Sequence, residues 1–210
     1  DGYWNNGKKD QEAGYFELNG NVRYRHTDND ALSRSNSETF LNTASGSSSF
    51  NNSAGHSYSD NTDFNTEMNL RWKPDTLTGI YLRPEYSYQS GNNSGISRSA
   101  TFNSNPYDVV ESPLDSIFSS YSAVNIPAAL ASITVNRNLR QSLSEGNGNT
   151  VNISAGITRR LGKKGRSISL DGGFNYSENN SYNWSISDIY YYRHNKQTYN
   201  NQYSTSPSKN

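Results

Sequence analysis

The chain lacks cysteine and is poor in aliphatic residues, and each shortage excludes a class of protein. The absence of cysteine excludes disulfides and thiolate metal sites, and it leaves the redox compartment undefined. Hydrophobic residues make up 31% of the 210 residues, well below the roughly 45–50% apolar usage of ordinary globular domains. Too few aliphatic side chains are therefore present for a core that packs on both faces of a sheet.

Net charge and long apolar runs are also missing. The 19 Lys and Arg residues balance the 19 Asp and Glu residues, so the composition indicates neither nucleic acid nor an anionic membrane surface as a partner. No apolar run approaches the roughly 20 residues of a membrane helix. Intrinsic disorder fits poorly, because charged residues make up only 18% and aromatic residues reach 12%. The chain has neither an initiating Met nor a signal peptide, and we expect it to be a piece of a longer protein.

A two-residue alternation of apolar and polar side chains is the strongest pattern that is present. Between residues 64 and 89, apolar residues alternate with polar or charged ones on both sides of a short turn at Pro74 and Asp75. Proline presets the turn conformation, and aspartate bonds back to the nearby backbone. Because successive side chains of a strand point to opposite faces, this segment is predicted to be a hairpin with one apolar and one charged face.

Similar bands predict five strands, at about residues 15–27, 64–73, 78–89, 150–161 and 166–177. A second tight turn is predicted at residues 162–165, and short helices are predicted at 113–121 and 127–132. We expect long polar loops at 28–63, 90–149 and 178–210; the first is expected to extend the strands beyond the apolar zone, since it keeps β-compatible Thr and Phe, with disorder as the alternative. The predicted fold class is all-β: a curved antiparallel sheet of long hairpins, forming part of a transmembrane β-barrel with long extracellular loops.

Several marks of an outer-membrane barrel occur together. Each apolar band lasts about nine to eleven residues, as in a tilted strand that crosses a bilayer. Connections are short at one end of the strands and long at the other, and aromatic residues cluster near the band ends. The residues expected to face lipid are Phe64, Met68, Leu70, Trp72, Ile80, Leu82, Tyr86, Tyr88, Ile168, Leu170 and Phe174. Those expected to line a polar lumen, pairing across strands, are Glu17, Arg23, Glu67, Arg71, Arg83, Glu85, Arg160 and Asp171.

Catalytic chemistry is not indicated. Glu67 and Glu85 resemble a glycosidase pair in type, but charges on neighbouring strands are more often structural. The histidines His26, His56 and His194 show no ligand spacing with one another, so we interpret them as surface or loop residues. The run 28–30 (Asp-Asn-Asp) lacks the further ligands of a calcium loop and is interpreted as a polar turn. We therefore predict no catalytic residue, no cofactor and no metal.

Aromatic residues in the last polar segment are candidates for ligand contact. Tyrosine-rich, Asn- and Ser-rich loops resemble antibody paratopes, in which Tyr supplies contact area at low entropy cost. The alternative is that these rings are packed edges of extended strands. The candidates are Tyr182, Trp184, Tyr190, Tyr191 and Tyr192.

Three segments resemble one known family. The run LRWKPDTLTGIYLRPEYSYQSGNNSG, the later ATFNSNPYD and the final YNNQYSTSPSKN resemble the Bacteroidetes outer-membrane β-barrel family related to TonB-dependent receptors. The resemblance covers most of residues 14–210, and its motifs are structural. It implies a longer protein with an N-terminal carboxypeptidase-regulatory-like domain, a plug and a barrel of about 22 strands. This chain would then be roughly a quarter of the barrel, with no plug of its own.

The predicted function is a non-catalytic part of a barrel for nutrient binding and uptake in the bacterial outer membrane. The nutrient would be a glycan, a peptide or a chelated metal. The implied partners are outer-membrane lipid, the rest of the barrel and plug, the TonB complex and a surface lipoprotein. The turn at Pro74 is predicted to lie in the periplasm and the polar segments outside the cell. The alternative is a soluble or surface-exposed adhesin-like β-protein that binds glycans or proteins through Tyr-rich loops. An isolated piece of barrel is expected to show an open sheet.

Overall fold

The computed structural model describes residues 1–40, 48–119, 126–162 and 165–210 as one antiparallel sheet with two short α-helices. Each of the first six strands pairs with the next one along the chain, and the eighth strand pairs with the sixth. The strands are β1 (Gly2–Asn5), β2 (Tyr15–Phe40), β3 (Ser48–Lys73), β4 (Thr78–Phe102), β5 (Thr134–Arg160), β6 (Ser167–Tyr191), β7 (Lys196–Thr205) and β8 (Ser208–Lys209). The α-helices are α1 (Pro113–Ile117) and α2 (Ala128–Ile133), and single 3₁₀ turns lie at Pro106–Asp108 and Tyr192–His194.

The prediction of an all-β antiparallel fold built from long hairpins is confirmed. The five predicted strands all lie inside β2 to β6. The sheet is open, as expected for a piece of barrel, but it is uncurled where we expected curvature. In the described part of the chain, β1 pairs only with residues 17–20, so the outer edge of β2 beyond residue 20 carries no neighbouring strand.

Residues 28–40 and 48–63 extend β2 and β3, as one of the two alternatives for that segment expects, whereas the loop prediction is wrong for much of 90–149 and 178–210, where β4 to β7 continue. The β2–β3 ladder continues without a break from Tyr15 opposite Lys73 to Phe40 opposite Ser48. Ser, Asn and Thr predominate in the extensions of β2, β3 and β4, where apolar residues are too few for a regular alternation. The extension of β6 does alternate, with Tyr182, Trp184 and Ile186 separated by polar residues. Backbone hydrogen bonds keep the extensions in register, together with cross-strand side-chain contacts such as the Arg25–Asp63 ion pair and the Tyr58–Asp28 hydrogen bond. The strands are consequently about 25 residues long, or about 80 Å.

The connections are accordingly shorter than predicted. Residues 74–77 and 161–166 join strands at one end of the sheet, called here the turn end. At the opposite end, called the distal end, residues 192–195 make a short connection and residues 103–133 make a long one. Residues 41–47 of the first predicted loop lie outside the described residues. So do residues 120 and 121 of the first predicted helix, and residues 163 and 164 of the predicted turn at 162–165.

The long distal connection folds back on the sheet and buries a small core. Both helices predicted there are present, although α1 is shorter than expected. The side chains of Phe102, Ile117 and Leu130 are fully buried in this cluster. Leu114 and Ala100 complete it. Among the described residues, none of the helices is both long and apolar enough to span a membrane.

Candidate functional site

The strand register assigns every side chain of the sheet to one of two faces. Directly paired residues share a face, and pairs such as Leu18 with Leu70 and Leu82 with Ala155 define one side. This side, called the apolar face, carries the even-numbered residues of β2, β3, β4 and β6 and the odd-numbered residues of β5. The other side is called the polar face.

A continuous strip of apolar side chains crosses the apolar face next to the turn end. This strip, called the apolar belt, consists of Phe16, Leu18, Val22, Tyr24, Phe64, Met68, Leu70, Trp72, Ile80, Leu82, Tyr86, Tyr88, Val151, Ile153, Ile157, Ile168, Leu170, Phe174 and Tyr176. All the residues predicted to face lipid belong to it. Much of the belt is uncovered: Leu170 is 72% exposed and Val22 is 66% exposed. Contact with lipid itself stays a prediction.

Aromatic rings mark both margins of the belt. Near the turn end, the Trp4 and Phe16 rings meet edge to face, with centroids 5.7 Å apart. At the distal margin, the Phe64 and Tyr86 rings lie 6.1 Å apart. Trp4 and Tyr86 combine an apolar ring with an N–H or a hydroxyl and so suit a boundary between water and an apolar phase.

Beyond the distal margin of the belt, the apolar face is first polar and then covered by the two helices. First comes a zone of histidine, aspartate, serine and asparagine side chains, among them His26 and Asp60. Further out, α1 and α2 cover the face and bury Ala100 and Phe102. An ion pair of 2.8 Å between Arg34 and Asp115 also joins α1 to β2. The belt is therefore the continuous uncovered apolar surface of this face, while Leu32 and Ile96 are exposed apolar side chains within the distal extension.

All the residues predicted to line a lumen lie on the polar face, but they do not pair as expected. Within the described part of the chain, no ion pair joins two members of that set. Among these residues, Glu17 and Arg71 are the only oppositely charged pair that the register places directly opposite each other on neighbouring strands. Glu67 lies opposite Glu85, which has the same charge. Neutral groups are the partners instead: the Asn21 amide donates to Glu67 over 3.4 Å. The result is a mixed-charge, hydrogen-bonded surface.

One polar-face contact spans three strands. The Tyr81 hydroxyl donates a hydrogen bond of 2.8 Å to the Asp171 carboxylate, passing over Gly156 on the strand between them. A Cβ atom on Gly156 would clash with both the Tyr81 ring and the Asp171 carboxylate. The glycine is therefore required for this contact. The Arg83 guanidinium stacks on the outer side of the same ring, with its carbon 5.2 Å from the ring centre.

The turn at the end of the β3–β4 hairpin is held by Asp75. The backbone N–H groups of Leu77 and Thr78 donate to its Oδ1 over 2.8 and 2.7 Å. These bonds lower the pKa of the Asp75 carboxyl below its ordinary value, and the bond from the Leu77 N–H has the largest effect. The structure thus supplies the backbone contact that the Pro-Asp pair predicts.

The candidate ligand-contacting aromatics do not lie in a loop. Tyr182, Trp184, Tyr190 and Tyr191 belong to β6, and Tyr192 begins the following 3₁₀ turn. The Tyr190 and Tyr192 rings pack edge to face at 4.8 Å, and Tyr190 is buried. Burial also raises the pKa of the Tyr192 hydroxyl. Their positions fit the alternative interpretation, in which these rings pack along extended strands. A role for them in ligand contact stays a prediction.

The structure also brings together a cluster that sequence reasoning missed. Residues 28–30, interpreted as a polar turn, lie in the middle of β2, and Asp28 faces Asp60 across the ladder. The atoms His26 Nε2, Asp28 Oδ2 and Asp60 Oδ2 converge as a result. Residues 28–30 were interpreted as a turn, and the sequence alone provides no register that places Asp28 opposite Asp60. The Asp28 carboxylate is the main cause that raises the pKa of the nearby Tyr58 hydroxyl.

Comparison with known protein families finds no family model that matches the chain, and comparison with curated proteins finds no match. The two faces of the sheet and its edges are therefore the features that bear on function.

Proposed function

We propose that this chain is a non-catalytic segment of a bacterial outer-membrane β-barrel, related to TonB-dependent receptors, that serves nutrient binding and uptake. The observation that carries the proposal is the uncovered apolar belt, which crosses five neighbouring strands. Soluble monomers rarely expose continuous apolar patches beyond a few hundred Å², and larger ones mark membrane or partner surfaces. A β-sandwich would cover this face with a second sheet, and the described part of the chain contains only one sheet.

The depth of the belt supports lipid as the occupant of this surface. On β2, β3 and β4 the belt spans about nine residues, within the roughly 9–11 residues that a tilted strand needs to cross a bilayer. Aromatic rings at both margins match the girdles of outer-membrane barrels. The zone beyond the distal margin is polar and then covered by α1 and α2. Lipid contact is thus proposed for the belt alone, with the Pro74 turn in the periplasm and the distal end outside the cell.

The open edges support the proposal that more strands complete the barrel. The outer edge of β2 presents unpaired backbone groups along residues 21–40 of the described chain. Unpaired edges are sites for strand addition or aggregation, and a closed barrel removes them. We assign the missing strands to the rest of the same protein, with its plug.

The polar face would line the lumen of the completed barrel. Its hydrogen-bonded groups carry both charge signs: Glu67 accepts from Asn21 and Asp171 accepts from Tyr81, while Arg83 donates to Asn69. Such a surface suits the passage of a polar nutrient without covalent chemistry. A glycan, a peptide or a chelated metal fits this description.

The test compares the 210-residue chain in plain buffer and in detergent micelles, using sedimentation velocity and far-UV circular dichroism. The proposal predicts aggregation in buffer and a dispersed, β-structured state in micelles, because the belt and the strand edges need a covering. A monomer that unfolds cooperatively in plain buffer would contradict the barrel assignment and favour the adhesin-like alternative.

A further inference from the structure

We propose that His26, Asp28 and Asp60 form a binding site for a divalent first-row transition-metal ion, for which Zn²⁺ is the appropriate probe. The three residues lie on β2 and β3, on the apolar face, directly beyond the aromatic distal margin of the belt. In the intact protein this position would be outside the bilayer and open to the external medium. The inference rests on side-chain geometry and is independent of the proposed transport function.

The spacing of the three ligand atoms suits a tetrahedral ion. His26 Nε2 lies 3.4 Å from Asp28 Oδ2 and 3.9 Å from Asp60 Oδ2. All three atoms lie within 4.8 Å of one another. In a tetrahedral zinc site with bonds of about 2.0–2.1 Å, ligand atoms are about 3.4 Å apart. Small rotamer shifts would therefore complete the triangle, and a water molecule would occupy the fourth position.

Neighbouring side chains orient two of the three ligands. His26 Nδ1 lies 3.0 Å from Thr62 Oγ1, its cross-strand neighbour. In the tautomer with the proton on Nδ1, that N–H donates to the threonine oxygen and leaves the Nε2 lone pair directed at the carboxylates. The Tyr58 hydroxyl donates to Asp28 Oδ1 over 3.3 Å, so Oδ2 of that carboxylate remains for the ion. Metal-binding histidines commonly have their second nitrogen engaged in this way.

The local charge also favours a cation. In the described ranges, neither Asp28 nor Asp60 forms an ion pair with lysine or arginine, and His26 is their shared basic neighbour. The His26 side chain is 41% exposed and the Asp60 side chain is 34% exposed, so an ion can reach both from solvent. A divalent ion would offset the repulsion between the two carboxylates that the register places opposite each other.

The chemistry of the three ligand atoms determines which metal ions the site prefers. One imidazole nitrogen with two carboxylate oxygens suits Zn²⁺ and its neighbours, whereas Ca²⁺ and Mg²⁺ prefer all-oxygen sites. The adjacent His56 does not extend the set, because its Nε2 is engaged with Asp30 Oδ1 at 2.5 Å. We therefore expect one Zn²⁺ per chain and no displacement by excess Ca²⁺.

The test titrates Zn²⁺ into the 210-residue chain in detergent micelles by isothermal titration calorimetry, with Co²⁺ absorption as a report on coordination geometry. Removing a ligand in His26→Gln or Asp60→Asn should lower the affinity at least tenfold. Thr62→Val removes the partner of His26 Nδ1 and should lower the affinity about tenfold while all three ligands remain. Far-UV circular dichroism establishes that each variant keeps its β-structure.

Two matched control variants test whether a loss of Zn²⁺ affinity is specific to the proposed site. Asp63→Asn makes the same chemical change on the same strand but on the opposite face, where Asp63 pairs with Arg25. His194→Gln removes a histidine from the β6–β7 connection. Both should leave the Zn²⁺ affinity unchanged. The proposal is overturned if the parent chain binds no Zn²⁺, if His26→Gln and Thr62→Val bind as the parent does, or if the controls lose affinity equally.

Discussion

Replacing Leu82 by arginine probes the environment of the apolar belt. Leu82 lies on β4 near the middle of the belt, opposite Leu70 on one side and Ala155 on the other. Arginine at the lipid face of a barrel costs about 2–4 kcal/mol at the bilayer midplane and about 0–1 kcal/mol near its surfaces. We therefore expect Leu82→Arg to lower the free energy of unfolding in lipid vesicles by about 2–4 kcal/mol. This corresponds to about a 30- to 700-fold change in the unfolding equilibrium constant.

Ile96→Arg is the matched control for this change. Ile96 lies on the same strand and the same face, but in the distal extension, opposite His56. The two side chains have similar exposure, 38% for Leu82 and 48% for Ile96. If both faced water, each substitution would cost within about 0.5 kcal/mol, and their costs would not differ.

The assay is urea unfolding of the chain in phospholipid vesicles, followed by tryptophan fluorescence. A cost for Leu82→Arg that exceeds the cost for Ile96→Arg by about 2 kcal/mol or more supports a lipid-facing belt. Equal costs for the two variants would refute the assignment, since both positions lie on the same strand and face with similar exposure.

Three further predictions concern the polar face, the distal core and the turn. Gly156→Ala should displace the Tyr81 ring and cost about 1 kcal/mol in unfolding free energy, the value of its lost hydrogen bond. Leu130→Ala should cost about 2–5 kcal/mol in the α1–α2 region, measured by hydrogen exchange, because Leu130 is fully buried. Asp75→Asn should lower the urea midpoint at neutral pH. This difference should shrink as the pH falls below the ordinary aspartate pKa of 3.8, because the folded-state pKa is lowered and the ionised group stabilises only above it.

Each of these predictions has an internal control. The double variant Gly156→Ala/Tyr81→Phe should be no less stable than the worse single variant, because both changes remove one contact; additive costs would contradict the proposed clash. Leu130→Ala should leave exchange in the belt strands unchanged, and faster exchange there would show that the distal core supports the whole sheet. For Asp75→Asn, a difference that grows towards acid would contradict the direction of the pKa shift.

The sequence predicts the belt well because apolar and polar residues alternate there with the two-residue period of a strand. Hairpins such as residues 64–89 carry an apolar residue at every second position on one face, which only a strand explains. The two short helices were also predictable, since Ser112 and Pro113 mark the start of the first. In both cases a local pattern is sufficient.

The remaining features depend on pairing between distant segments. In residues 28–63 apolar residues are few and irregularly spaced, so the sequence indicates extended strands from β-compatible Thr and Phe but does not give their pairing. Only the structure defines the register of the β2–β3 ladder. The same register brings His26 next to Asp60. The folding of α1 and α2 over Phe102 is likewise a tertiary contact with no local signal.

Depth-dependent fluorescence quenching by brominated lipid tests the central claim most directly. Trp72 lies in the belt, whereas Trp184 lies on the same face at the level of Tyr58, about 45 Å further along the strands. Two variants each retain a single tryptophan, Trp4→Phe/Trp184→Phe and Trp4→Phe/Trp72→Phe. Strong quenching of Trp72 with no quenching of Trp184 is the predicted result. Equal quenching of both, or of neither, would contradict an apolar belt that faces the bilayer.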